Sequence, residues 1–520
     1  MTSETIKNQV REFAERTLTV AQDEATGLMR DGVEVATGAP VRLTWEGEER
    51  TICNWASQQN WGRMMVGLSA LSGDRSYAEA AQAIGRKTYE AIRHPGGLLH
   101  WGGHMAWDLR AGVPFGHKPG RFTHELKTHY PYYEWLWQLD PTATTRYVEA
   151  LWQAHVQDWA SLDLSRHGWY TDELTSPAWQ ATYAPPEVFF VGEGLSFCNT
   201  GSDLFYAAAM LHRFTGASGP LTWAKRLAGR YDETRNPATG LVGYQYSRVA
   251  DDRAFVQFGQ EYGERALEGK ILDRGRTYVR YGEVGLIQLQ IAELLGDAGA
   301  EFLGWAHADL SALASHCYDA TDGQMHAMLS DGHRLYPADV KRPGYYKAES
   351  LGPWSPQPGF LRTYALASRL TGDERMWWMA GEVARIHGLG ELGSSPTAAR
   401  SVNTQTDASD VGLLLGVLEL QRTVPRTDLL ALAERIAANM VAARYHDGWF
   451  RDSPAHRFAR IDAREALALL HLAAALEDAG DVVPTDRGSE AYLTAEFQGD
   501  HPTDKWGRSN ENSVLYSLTR

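Results

Sequence analysis

One feature of this sequence limits the fold more than any other. An apolar helical run ends in a short turn of Gly, Asp or Pro, and a second helical run follows. The join recurs at LSGD (71–74), LDPT (139–142), FTGAS (214–218), LGDAG (295–299), LTGD (370–373), TVPRTD (423–428) and EDAGD (477–481). Glycine ends a helix because it accepts the left-handed conformation, and Ser, Thr or Asp caps the helix that comes next. Turns with Gly and an aromatic or aliphatic residue follow many of the pairs: HPGGLLHW (94–101), RHGWY (166–170), ATGLVGY (238–244), TDGQMH (321–326) and HDGWF (446–450). They read as equivalent loops at one end of stacked hairpins. The pattern predicts an all-α protein, an α/α toroid of about seven helical hairpins with short β pieces in its loops. No low-complexity linker interrupts it, so a single domain over 1–520 is expected.

Three stretches depart from the repeat. Residues 245–282 are charged with short β-prone pieces and are expected to lie across one face. Residues 331–362 are rich in Pro, Gly and aromatics, and a loop of that length usually has a function. The tail from 490 is polar with scattered aromatics and fits no repeat.

Charge and cysteine usage narrow the partners. The net charge of −15 argues against nucleic acid, so a polyanionic substrate would need a local basic or metal-bearing pocket. Cys53, Cys198 and Cys317 are odd in number and far apart, which predicts no disulfide framework and a reducing compartment. The N-terminus has no apolar signal core; Ile6, Val10 and Phe13 follow helical spacing instead. No apolar run approaches the length of a membrane span. These features predict a cytoplasmic protein, or a periplasmic one if a signal peptide has been removed.

The chemistry concentrates between His100 and His167. HWGGHMAWD (100–108), THELKTHYPYYEW (123–135) and LSRHGWYTDE (164–173) supply His104, Glu125, Arg166 and His167. Two imidazoles and a carboxylate suit a divalent transition metal with open positions. An arginine beside one ligand makes sense for an anionic substrate. His124, His129 and Glu134 are rival ligands that spacing does not exclude. Pro131 predicts the start of the next helix, with Glu125 in the turn before it.

This constellation resembles the active site of the family 2 polysaccharide lyases, pectate lyases built on a helical toroid. Their pattern is a histidine, a glutamate 21 positions on, and an Arg-His pair whose histidine lies 63 positions after the first, matched here by His104, Glu125 and Arg166–His167. The resemblance runs over most of the chain and is most specific between about 50 and 200. It implies that His104, Glu125 and His167 hold a divalent metal and that Arg166 is the Brønsted base. The reaction would be β-elimination on α-1,4-linked polygalacturonate or oligogalacturonides, with exo action on short chains. Arginine is ordinarily protonated, so a base role needs alkaline conditions and neighbouring cations.

The donor set itself bears on the metal. Calcium prefers six to eight oxygen ligands, whereas mixed nitrogen and oxygen donors suit a first-row ion. Mn2+ is expected, with Co2+ or Ni2+ able to substitute. Arg274, Arg276, Lys341 and Arg342 are candidates to hold further substrate carboxylates, and Trp169 and Tyr170 to stack on sugar rings. With 18 tryptophans, most aromatics belong to the core. Competing readings are a glycoside hydrolase with a carboxylate pair drawn from Asp108, Asp172, Glu193 and Asp407, a sugar epimerase using histidine bases, and a non-enzymatic helical scaffold.

Overall fold

The computed structural model describes residues 1–488 apart from 46–47, 104, 117–121, 175–177, 253, 399, 452 and 455. In chain order the helices are α1 (Ser3–Arg16), α2 (Gln59–Ser72), α3 (Ser76–Ala91), α4 (Tyr133–Leu139), α5 (Pro141–His155), α6 (Cys198–Thr215), α7 (Ser218–Asp232) and the single-turn α8 (Phe255–Phe258). They continue with α9 (Arg274–Thr277), α10 (Val284–Leu295), α11 (Ala300–His316), α12 (Gly359–Thr371), α13 (Glu374–Ile386), α14 (Val411–Thr423), α15 (Thr427–Arg444) and α16 (Arg464–Leu476). The fold is all-α, with short strands confined to the loops. No described helix is long and apolar enough to cross a membrane.

The first six joins each connect two helices, and three of them turn on the glycine the sequence suggests. Gly73, Gly216 and Gly372 take φ of 74°, 72° and 70° at the ends of α2, α6 and α12. Asp373 and Asp410 cap α13 and α14 through their side chains. The seventh join is different. It ends α16, and α16 packs against α1 from the other end of the chain and against α2.

The chain divides into two compact units. The first comprises Met1–Ala154, His167–Thr175 and Ala433–Arg520. Within it α2 lies against α3 and α16, and α3 against α4. The second comprises His155–Arg166 and Ser176–Leu432. Here α6, α10, α12 and α14 follow one another in contact, while α7, α11 and α13 each cover the preceding member of that row. Burial follows this two-layer order. Every residue of α10 from Val284 to Ala292 is buried, whereas α7 buries one stripe through Trp223, Leu227 and Tyr231. Each fully buried Leu or Ile contributes about 1.5–3 kcal/mol relative to exposure. Cys53, Cys198 and Cys317 are buried and free.

The segment 245–282 is a series of short helical pieces with two two-residue strands, Ser247–Arg248 and Ile271–Leu272, and a π-helical turn, Tyr278–Glu283, leads from it into α10. Residues 331–358 form a long loop with two short 3-10 turns before α12 begins at Gly359. The tail from 490 lies outside the described residues.

Candidate functional site

Glu125 and His167 meet because two short strands pair. Thr123–His124 runs antiparallel to Gly168–Trp169, with Thr123 opposite Trp169 and His124 opposite Gly168. One step further along that register sets Glu125 opposite His167. Glu125 is fully buried, and its Oε1 lies 3.5 Å from His167 Nε2. Lys127 Nζ lies 2.8 Å from the same oxygen. The backbone of Glu125 is also engaged: its carbonyl accepts from Gly103 N at 2.7 Å, beside a parallel bridge to Gly102. His104 lies outside the described residues.

The segment after Glu125 is held in a costly conformation. Thr128 and Tyr130 have φ of 48° and 50°, which for residues with a Cβ costs on the order of 1 kcal/mol or more each. Helix α2 and the turn before it hold it there. The fully buried Arg63 donates to the Tyr130 carbonyl at 2.8 Å, and Gln59 Oε1 accepts from Tyr132 N at 2.9 Å. The His129 ring bonds the Ala56 carbonyl, and burial pushes its pKa down to about 4, so the imidazole is neutral. His124 Nε2 accepts from Trp101 Nε1 at 3.2 Å, and Glu134 pairs with Arg487 at 3.3 Å. The three rival ligands thus have partners of their own. The expectation that Pro131 opens the helix is corrected: α4 begins at Tyr133, and Glu125 sits on an extended, strand-flanking segment instead of a helix-entry turn.

A first-row ion about 2.1 Å from each of two ligands sets the donor atoms about 3.0–3.5 Å apart. The spacing of Glu125 and His167 fits that requirement, and the pair offers one oxygen and one nitrogen. Lys127 is a cation on the same carboxylate oxygen, and the sequence reading did not single it out. In an extended chain residues i and i+2 point to one side, so the E-x-K spacing was the available signal.

Among the described residues another trio brings ligand atoms within 4.8 Å of one another: Asp319, Asp322 and His326, in the second unit. Its carboxylates serve their own turn. Asp319 accepts from Thr321 N and Asp322 from Gln324 N, each at 2.9 Å. The Arg334 guanidinium lies 3.0 Å from His326 Nε2, and burial and that guanidinium together lower the His326 pKa.

The remaining candidates occupy varied settings. Arg166, in the second unit, is exposed, with its guanidinium 5.8 Å from the centre of the Phe197 ring. Asp163 steadies the strand that precedes it, accepting from Glu193 N, Gly194 N and Ser247 Oγ. Arg274 is exposed. Arg276 is buried, paired with Glu268 at 2.7 Å and surrounded by the rings of Tyr244, Tyr345 and Tyr346. Lys341 and Arg342 are exposed on a loop that the buried Gln257 holds. The Gln257 carbonyl accepts from Lys341 N, its side-chain nitrogen donates to the Arg342 and Tyr346 carbonyls, and its side-chain oxygen accepts from Tyr346 N. That loop presents Tyr345, which is 71% exposed. In the first unit Trp169 is partly exposed, whereas Tyr170 stacks on His100 at 4.9 Å and donates to the Leu99 carbonyl at 2.7 Å. Of the carboxylates considered for a hydrolase, Asp108 is buried against Arg50 at 3.0 Å.

A family profile described as periplasmic pectate lyase matches residues 26–496. A curated pectate disaccharide-lyase from Dickeya dadantii (strain 3937) is 30% identical over 509 residues, covering 91% of this chain and 89% of that protein. Solved structures of lower similarity include the GH76A alpha-1,6-mannanase from Salegentibacter sp. HEL1_6, at 10% identity and a TM-score of 0.41 over 91% of this chain and 99% of that one. Cellobiose 2-epimerase from Bacillus thermoamylovorans B4167 has 10% identity and a TM-score of 0.44 over 90% and 99%.

Proposed function

This chain belongs to the periplasmic pectate lyase family, and from that premise we propose that it is a pectate lyase, a polysaccharide lyase acting on α-1,4-linked galacturonate chains. The reaction is β-elimination, leaving a 4,5-unsaturated uronide. In this reading His104, Glu125 and His167 hold a divalent first-row ion, foremost Mn2+. The observation that supports it is the 3.5 Å approach of a buried carboxylate to an imidazole across a strand pair. When bound, the ion supplies Lewis acidity toward the C6 carboxylate of the sugar.

The chain's own residues account for the rest. The neutral guanidine form of Arg166 takes the proton from C5, the C5–H electron pair becomes the C4=C5 double bond, and the C4–O bond breaks with its pair leaving on the glycosidic oxygen, which takes a proton from solvent, so no water is needed as nucleophile. The exposed guanidinium and ammonium groups of Arg274, Lys341 and Arg342 are suited to neighbouring substrate carboxylates. Arg276, already paired with Glu268, acts as the brace behind Tyr345. Trp169 offers a ring face to the sugar, and Tyr170 is stacked on His100 within an aromatic cluster.

The disaccharide-lyase name of the Dickeya relative supports exo action that releases dimers. The family's periplasmic description supports the periplasmic alternative, and nothing supports the cytoplasmic expectation. Incubation with polygalacturonate, followed by ultraviolet absorbance of the unsaturated product, tests the reading. A hydrolase or epimerase gives no such absorbance. A time course on defined oligogalacturonides tests the exo assignment: unsaturated dimer appears first, and an early ladder of long products overturns it.

A further inference from the structure

The segments that carry the proposed ligands are joined through a residue outside the ligand set. Asn54 is fully buried at the end of the strand Glu48–Cys53. Its side-chain nitrogen donates to the Gly102 carbonyl and its side-chain oxygen accepts from Gly102 N, both at 2.9 Å. The amide thus pairs with both backbone polar groups of one residue, as a neighbouring strand would. Gly102 in turn bridges Glu125, and Gly103 N donates to the Glu125 carbonyl at 2.7 Å. The contact needs glycine: φ at Gly102 is +99°, and a Cβ there would stand 2.4 Å from the Glu125 carbonyl oxygen, closer than real contacts allow.

Asn54 is itself fixed. Its backbone N–H donates to both carboxyl oxygens of the buried Asp31 at 2.9 Å, and Gln58 donates to the same carboxyl group at 2.8 Å. On the far side of position 104, the strand Met105–Asp108 pairs with Ile52 and Cys53, the residues just before Asn54. The chain is therefore pinned to the 52–54 segment both before and after position 104. Metal-site ligands depend on such outer supports for their orientation.

We propose that Asn54 is a positioning residue for the metal centre, fixing through Gly102 the spacing between the segments that carry His104 and Glu125. This rests on the metal reading given above. The test is a Mn2+ titration followed by the EPR signal of free ion, together with the visible spectrum of the Co2+-loaded protein. Wild type is compared with Asn54→Ala, Asn54→Asp and a core truncation in the same unit, Leu467→Ala. Asn54→Ala is expected to lose about ten- to a hundredfold in Mn2+ affinity and to alter the Co2+ spectrum. Backbone amide exchange in residues 101–108 should quicken. Asn54→Asp keeps the acceptor for Gly102 N and loses the donor, so its affinity falls between the two. Leu467→Ala lowers the melting temperature yet keeps wild-type affinity and spectrum. If Asn54→Ala does not fold, Asn54→Asp decides alone. Wild-type affinity and spectrum in a folded Asn54 variant overturn the positioning role and leave the metal reading standing. A wild-type protein that binds neither ion overturns both.

Discussion

Two of the places where carboxylate and imidazole meet among the described residues are built in opposite ways. Asp319, Asp322 and His326 come together within one turn of eight residues. Their carboxylates accept from amides two positions on, and a guanidinium covers the imidazole. Glu125 and His167 come from distant parts of the sequence and face each other across a strand pair, with the carboxylate wholly buried. Burying a carboxylate costs free energy unless cations or donors answer it. Lys127 answers it in part at 2.8 Å. Acidic ligands that cluster through local turns are common, whereas a buried carboxylate facing an imidazole across distant segments stands at a cost in stability, the kind of cost functional sites carry.

The comparison is most easily broken by mutation. His104→Ala and His167→Ala should each lower activity on polygalacturonate about a thousandfold or more and lose most metal affinity. Arg166→Ala should lose about as much activity while its metal content stays near normal. The matching change in the other cluster, His326→Ala, should leave activity and metal content within about twofold. Near-wild-type turnover in a folded Arg166→Ala protein would remove the base assignment. A large loss in His326→Ala would reverse the comparison.

Metal exchange is the next lever. Chelation is expected to abolish activity, and Mn2+, Co2+ or Ni2+ to restore it better than Ca2+, because nitrogen donors suit calcium poorly. The measurement is activity of the stripped protein across a metal panel. Rescue by calcium alone, or full activity in excess chelator, would count against a centre of mixed nitrogen and oxygen ligands.

A smaller effect sharpens the role of Lys127. Removing its charge in Lys127→Met takes a competing cation from the Glu125 carboxylate, so Mn2+ affinity should rise about tenfold while thermal stability falls. Weaker binding would mean that Lys127 assists the centre instead of competing with it.

The smallest effect concerns the support beneath Asn54. Burial raises the Asp31 carboxyl to about 8 and the Asp462 carboxyl to about 6, both above the range of an unfolded chain. A raised folded pKa contributes stability that is fully present below about pH 4 and is lost as pH rises through the folded value. Thermal stability should therefore decline from about pH 4, through both groups up to about pH 6 and through Asp31 alone up to about pH 8. Asp31→Asn should flatten the upper part, a change on the order of 2 °C in the melting temperature. An unchanged slope in that variant would assign the decline to other groups.

Much of this protein is decided by rules that act over a few residues. A left-handed glycine after an apolar run ends α2, α6 and α12, and an aspartate caps α13 and α14, so six hairpins are legible in the sequence. The pairing of α16 with α1 is not, because a join says that a helix ends and not which helix will cover it. The candidate site divides in the same way. Spacing and resemblance put forward His104, Glu125, Arg166 and His167, but periodicity could not separate Glu125 from His124, His129 and Glu134. The partners of those three are Trp101, Ala56 and Arg487, reached only by the tertiary fold. Nor does the sequence tell the exposed Arg342 from the buried Arg276, since burial of a guanidinium depends on rings brought from Tyr244, Tyr345 and Tyr346. Capping and helical period are local energies and can be read along the chain. Which carboxylate faces which imidazole is set by strand register between distant segments, and packing decides that register.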